Sequence, residues 1–226
     1  MANEELVCNV FNDPFPHMII KNYYNEEELK LLWQELEFYT HPGKLLKAEN
    51  FGGIVGYTNS SAVILDQVYR NYSKVVNETI NGRPNFRPLS NILTLNRKLF
   101  ESGVLDALAD VHDSVSLVNQ TNWDNVKVRY YHNGEYYKSH TDKSMPFLAF
   151  YYANKEPKKY TGGEVFFPKY DYEYACDNNS IIVFPGWVEH GVKEVTIEDS
   201  DYYDGYGRYA ITTFFGSKPV DDDMKL

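Results

Sequence analysis

The sequence predicts an α+β protein in which N-terminal helices back a β-sandwich or barrel. Two observations carry this. Apolar residues recur at helical spacing through the first half of the 226-residue chain, and after Asn122 the period changes to two, in short runs separated by turn residues. The composition agrees: 16% of residues are aromatic, with 20 Tyr and 13 Phe, and aromatic side chains suit strands. The length fits one domain, 1–226. Residues 1–120 form a helical support region with a leading strand, 121–216 a strand-rich core, and 217–226 an acidic tail.

Taken in order, Phe15 to Ile20 reads as the leading strand. Asn25 then caps a helix, and Glu28 three residues on completes a capping box. Leu29, Leu32, Trp33, Leu36 and Tyr39 lie on one stripe of that helix, which Pro42-Gly43 ends. Phe51 to Asn59 is Gly-rich and reads as a loop or irregular strand. A second helix is expected from about Val63 to Ile80, on a stripe through Leu65, Val68, Tyr69, Tyr72, Val75, Val76 and Ile80, with a stop at Asn81-Gly82. Asn91 to Asp113 is helix-rich with a break at Ser102-Gly103. Val126, Val128 and Tyr130 alternate as a strand, and Asn133-Gly134 is a hairpin signal. Further strands fall at Met145–Asn154, Glu164–Phe167, Ser180–Phe184, Val188–Val195 and Arg208–Phe215.

Composition narrows the function. Thirty-two Asp and Glu against 22 Lys and Arg give a net charge of −10, which repels phosphate backbones and argues against a nucleic-acid partner. No apolar run approaches the ~18 residues of a membrane span, and the N-terminus has no signal-peptide pattern. A cytoplasmic protein is expected. Cys8 and Cys176 are expected to be free thiols in a reducing compartment. Oligomeric state is not encoded legibly.

The chemistry centres on Tyr136 to Asp142. On a strand, His140 and Asp142 at i and i+2 point the same way. A second imidazole on that side, His190, completes a two-His, one-carboxylate set, which leaves positions open on an octahedral metal as in non-haem Fe(II) oxygenases. His17, His41, His112 and His132 have no partner at ligand spacing. His132 is the one nearest the site in sequence.

Five ordered segments carry a family resemblance: 128–142, 150–154, 162–168, the Val-Phe-Pro run up to His190, and 207–215. Together they resemble the 2-oxoglutarate- and Fe(II)-dependent dioxygenases, and within them the prolyl 4-hydroxylase family. The resemblance covers 126–216 strongly and Pro14–Leu36 more loosely. It implies a double-stranded β-helix (jelly-roll) catalytic core. Also implied are Fe(II) on His140, Asp142 and His190, 2-oxoglutarate as cosubstrate, and O2, and the resemblance admits ascorbate as a reductant. Arg208 matches the family cation that grips the far carboxylate of 2-oxoglutarate, a task suited to a planar guanidinium. Tyr131, Tyr152 and Thr212 match positions lining the same pocket. The implied activity is hydroxylation of a C–H bond, C4 of proline in a peptide or protein. Asp142 favours hydroxylation over halogenation, because related halogenases keep that position small.

Rival readings remain. The same chemistry could act on a free amino acid or small metabolite, and the sandwich could serve a cupin-like metal-binding protein without oxygenase activity. A metal-dependent hydrolase would need a base, and Glu189, the nearest carboxylate, should point away from His190. A nucleic-acid demethylase of the superfamily is disfavoured by Phe214, six residues after Arg208, where that group carries a second Arg. One departure from the family is the long stretch before Arg208. Residues 196–206, acidic and Tyr-rich, are expected to form a loop bordering the substrate groove and to favour proline peptides with basic or neutral flanks.

Overall fold

The computed structural model describes residues 5–40, 44–47, 50, 58–69, 79–80, 83–84, 86–101, 103–110, 121 and 123–217. The expectations for His41, Pro42-Gly43, His112, Asn81-Gly82 and the tail from 218 onward lie outside them.

Seventeen strands are described: β1 Val7–Phe11, β2 His17–Lys21, β3 Leu46–Lys47, β4 Thr58–Asn59, β5 Ser61–Ile64, β6 Thr79–Ile80, β7 Arg83–Pro84, β8 Trp123–Tyr131, β9 Tyr136–His140, β10 Phe147–Ala153, β11 Thr161–Gly162, β12 Val165–Phe167, β13 Tyr172–Tyr174, β14 Ser180–Pro185, β15 His190–Val192, β16 Val195–Thr196 and β17 Arg208–Gly216. Two antiparallel sheets dominate. The larger runs β1-β2-β14-β10-β17-β8-β5-β3, the smaller β13-β12-β15-β9-β4. From β8 onward the chain passes repeatedly between the two, an arrangement consistent with a jelly-roll oxygenase fold.

Period-2 alternation gives the large sheet two apolar faces, as burial on both sides requires. On one face Val126, Val128, Tyr130, Phe147, Ala149, Tyr151, Tyr209 and Ile211 pack against Leu32 and Leu36 of helix α1 (Glu26–Leu36) and against Ile92 and Leu93. On the other, Tyr131, Leu148, Phe150, Tyr152 and Ala210 meet Val165, Phe167 and Val192 of the small sheet. The functional cavity opens within this second layer.

Helix α1 starts as its sequence dictates. The Asn25 side chain accepts from the Glu28 amide at 2.9 Å, and the Glu28 carboxylate accepts from the Asn25 amide at 2.8 Å. Its stripe buries Leu32 and Leu36, and Tyr39 follows in a 3-10 turn. Buried Glu35 ties α1 to the next helical stretch by accepting from Ser90 Oγ and from the Ile92 amide. The helix-rich stretch after Ser90 comprises Asn91–Leu95, Lys98–Glu101 and Val104–Ala109, broken at Gly103, whose φ is +65°.

Three expectations need correction. The helix expected over 63–80 begins as strand β5, because Ala62 and Val63 pair with Arg129 and Val128 at the sheet edge. Residues 65–69 are helical and 79–80 form β6, while 70–78 lie outside the described residues. Asn133-Gly134 turns the chain, with Gly134 at φ +74°, but β8 and β9 do not pair. They enter different sheets, so the signal marks a crossing rather than a hairpin. The 196–206 stretch contains a short helix, Asp199–Tyr203. Several short strands were missed, among them the outer strand β1, which pairs with β2, and β13, which pairs with β12. Among the described residues Cys8 and Cys176 are free thiols, and no helix is long and apolar enough to cross a membrane.

Candidate active site

His140 and His190 are direct partners across the β9–β15 ladder, and their ring centroids lie 4.5 Å apart. Asp142 reaches them from outside the strand. β9 ends at His140, so the i, i+2 strand argument does not position Asp142. A turn does: the Asp142 amide donates to the Gly186 carbonyl at 2.8 Å, and the Asp142 carbonyl accepts from the Met145 amide at 2.8 Å. Gly186 has to be glycine, since a Cβ there would fall 2.1 Å from the Met145 carbonyl oxygen and 2.5 Å from that of Asp142. Asp142 Oδ2 lies 3.7 Å from Nε2 of each histidine, and the three ligand atoms are all within 4.8 Å of one another.

The other nitrogen of each histidine fixes its tautomer. His140 Nδ1 is 3.0 Å from the Lys138 carbonyl and His190 Nδ1 is 2.9 Å from the Val188 carbonyl. A carbonyl only accepts, so each Nδ1 carries the proton and each Nε2 presents a lone pair to the shared point. Burial, reinforced by the neighbouring His140, lowers the His190 pKa to about 3, so it is neutral at physiological pH. Tyr137 stacks on His140 at 4.2 Å, and the edges of Phe150 and Phe184 enclose His190. Asp142 has a raised pKa because burial disfavours its charge, an effect that His140, Lys127 and Arg129 oppose in that order.

The same cavity holds the other expected residues. Tyr131, Tyr152, Arg208 and Thr212 all line it, since β8 and β17 alternate in register with Arg208 opposite Tyr131 and Thr212 opposite Lys127. Arg208 is 1% exposed. Its guanidinium lies 4.6 Å from the Tyr131 ring and 5.0 Å from the Tyr152 ring. Nη2 has a long contact of 3.6 Å to Cys176 Sγ. Nε, Nη1 and the Tyr152 hydroxyl are buried with no hydrogen-bond partner among the described residues. Gly163 makes room for this side chain, because a Cβ there would sit 2.5 Å from Arg208 Cδ.

Sequence reasoning missed Lys127, Arg129, Tyr137 and Phe214, which also line the cavity. The signal was available: Lys127, Arg129 and Tyr131 share one parity on β8. Burial, then the Arg129 charge, lowers the Lys127 pKa to about 8, while Asp142 acts in the opposite sense.

Other histidines and carboxylates are engaged elsewhere. His17 Nδ1 bonds the Phe15 carbonyl at 2.8 Å in an aromatic cluster. His132 lies 2.9 Å from Asp199. Glu189 faces Lys169 at 4.0 Å and does not line the cavity. The 196–206 stretch does not line it either. It folds over the end of β8, where Tyr202 stacks on Tyr130 at 4.5 Å and packs against both apolar layers, while Ile197 is buried in the layer between the sheets. Its acids meet basic partners, Asp199 with His132 and Asp201 with Lys159. The expectation that this stretch borders the substrate groove and selects basic flanks therefore has no support in the cavity.

Residues 126–216 match the family model described as the 2OG-Fe(II) oxygenase superfamily. Among solved structures, a Pseudomonas putida prolyl-4-hydroxylase superposes with a TM-score of 0.55 at 12% identity, covering 89% of this chain and 92% of that one. A 2OG-Fe(II) oxygenase family oxidoreductase from Burkholderia pseudomallei gives 0.53 at 13% identity, covering 88% and 84%. The viral collagen prolyl hydroxylase of Paramecium Bursaria Chlorella virus-1, in its 2OG complex, gives 0.50 at 14% identity, covering 89% and 96%. At these identities the likeness is one of fold. No curated protein matches the chain by sequence.

Proposed function

We propose that the chain is a 2-oxoglutarate- and Fe(II)-dependent dioxygenase that hydroxylates a C–H bond, C4 of proline in a peptide or protein. The observation that carries the reading is the buried Arg208. A guanidinium stays charged at any physiological pH, and a buried charge without a counter-ion is costly. The unpartnered Nε, Nη1 and Tyr152 hydroxyl fit the oxygens of a carboxylate, at one end of a cavity whose other end is a metal-ligating triad.

In this reading His140, Asp142 and His190 hold Fe(II), two neutral imidazoles and one carboxylate being a donor set suited to it. The metal, when bound, supplies the redox chemistry with O2 and 2-oxoglutarate. The chain does the rest. The Lys138 and Val188 carbonyls fix the imidazole tautomers. Arg208 and Tyr152 hold the far carboxylate of 2-oxoglutarate, with Tyr131 beneath the guanidinium and Thr212 on the wall between. Phe150, Phe184 and Val192 keep the site dry. Ascorbate would serve as external reductant.

We read 126–216 as a double-stranded β-helix, because the chain alternates between the two sheets, and the whole as one unit in which 1–120 supports the core. The proline substrate is suggested by the prolyl hydroxylases among its structural neighbours. A hydrolase reading is weaker, since Asp142 is the one carboxylate among the described cavity-lining residues and the triad uses it. The test is succinate release with Fe(II), 2-oxoglutarate and a panel of proline peptides, with mass spectrometry of the peptides. Added oxygen on proline supports the reading. Succinate release that no peptide stimulates would remove the peptide substrate, and absence of any release would remove the oxygenase.

A further inference from the structure

The cavity has the opposite charge to the chain. The sequence carries −10 overall, yet Lys127, Arg129 and Arg208 line the cavity with Asp142 as its one carboxylate, leaving two net positive charges. A divalent metal would add two and a dicarboxylic cosubstrate would remove two, so the sum over the cavity-lining side chains stays positive.

Lys127 and Arg129 lie apart from Arg208. The Phe150 ring is 5.5 Å from the His190 ring. Phe150 is paired with Thr212 across β10–β17, and Thr212 with Lys127 across β17–β8. Lys127 therefore stands level with the triad, whereas Arg208 is four residues further along β17, about 13 Å at ~3.3 Å per residue. Arg129 sits between them, opposite Ala210, anchored by a 3.1 Å bond from Nη1 to Ser60 Oγ and lying over Tyr137. The Lys127 ammonium lies 4.7 Å from the Phe214 ring centroid. Among the described residues it forms no ion pair with a carboxylate.

We infer that Lys127, backed by Arg129, binds a carboxylate of the substrate beside the metal triad. The inference rests on the oxygenase reading for the word substrate, but the surplus positive charge is a property of the chain's own residues. An acidic peptide side chain next to the reacting residue, or the α-carboxylate of a free amino acid, presents the same group. A partly buried ammonium discriminates strongly between a carboxylate and the isosteric amide.

The experiment is calorimetric binding to the full chain loaded with Zn(II) and 2-oxoglutarate, which do not turn over. One probe pair is an acetylated, amidated alanyl-prolyl-aspartate tripeptide and its asparagine counterpart. The other is free L-proline and L-prolinamide. At least one acid should bind about tenfold or more tightly than its amide, a factor expected of a charge-assisted contact, and the responding pair identifies the source. Lys127→Met and Lys127→Gln should bring that ratio to within about twofold, and Lys127→Arg should retain most of it. Equal binding of acid and amide in both pairs would overturn the inference. So would an unchanged ratio in Lys127→Met and Lys127→Gln accompanied by weaker 2-oxoglutarate binding, which would assign the cation to the cosubstrate. Succinate release decides the oxygenase reading separately, so the two can fail independently.

Discussion

His140 and His190 face each other across one ladder position, and each has its Nδ1 bonded to the carbonyl two residues before it, Lys138 and Val188 respectively. The repeated contact fixes both imidazoles in a single tautomer without help from any other side chain. It also means that the local backbone, not a second carboxylate, orients the triad.

Removing a ligand should therefore be more damaging than removing any supporting contact. His140→Ala, Asp142→Ala and His190→Ala should each lower activity by more than ~100-fold, the upper end for groups that merely orient ligands. Metal content should fall with it while the far-UV circular dichroism stays native. A variant retaining full activity would remove that residue from the triad.

Asp142 should make the metal-free protein pH-sensitive. Its native pKa is raised by burial, so the native state holds the proton more tightly than the unfolded state does. The protonated carboxyl contributes stability that is complete below the ordinary carboxylate pKa and is lost as pH rises through the raised value. Asp142→Asn should thus melt higher than wild type at pH 7.5 after chelation, with the gap shrinking toward pH 4. Adding metal should stabilise wild type alone. Equal melting temperatures at both pH values would contradict the sign of the shift.

Arg208 should show the reverse of an ordinary buried contact. Arg208→Met keeps much of the volume and removes an uncompensated charge, so the cosubstrate-free fold should be unharmed or more stable. Half-saturation by 2-oxoglutarate should rise by more than ~100-fold, since leaving one member of a buried pair alone costs ~3–5 kcal/mol. Arg208→Lys should be milder, because charge remains but the bidentate fork is lost. Thermal melts and 2-oxoglutarate titrations check both halves. An unchanged titration would place the anchor elsewhere.

How much of this the sequence revealed depended on whether the information was local. The α1 cap was legible because Asn25 and Glu28 satisfy each other within one turn. β10 was legible as a strand because burial on both faces makes it a continuous apolar and aromatic run, and β8 through the alternation of Val126, Val128 and Tyr130. Asp142 illustrates the limit. Strand spacing led to a residue that does lie 3.7 Å from both imidazoles, but for an incomplete reason, since Asp142 is placed by Gly186, which is 44 positions away. Nothing in a single sequence links those two. The 63–80 stretch was misread because Ala62 and Val63 complete a sheet edge on Arg129 and Val128, a tertiary pairing that overrides helical periodicity. Lys127 and Arg129 were overlooked because a charged residue on a strand ordinarily faces solvent, and the small sheet that covers them is assembled from distant segments.

The 196–206 stretch provides the last test. Tyr202 stacks on Tyr130 at 4.5 Å and packs edge-on against His132 at 4.2 Å. Its carbonyl accepts from the Tyr130 hydroxyl, and that oxygen in turn accepts from the Gly207 amide at 2.9 Å, one residue before Arg208. The short helix thus clamps the start of β17 without lining the cavity. Tyr202→Ala should cost about 2 kcal/mol, less than full truncation of a core aromatic because Tyr202 is only partly buried. Its effect on chemistry should be indirect: substrate-coupled and substrate-free succinate release should fall together, and raising the 2-oxoglutarate concentration should restore part of both as Arg208 is held less firmly. Asp199→Asn and Asp201→Asn, on exposed pairs, should change stability by under ~1 kcal/mol. Denaturant melts and side-by-side coupled and uncoupled assays make the measurement. Loss confined to the coupled reaction would return this stretch to the substrate groove.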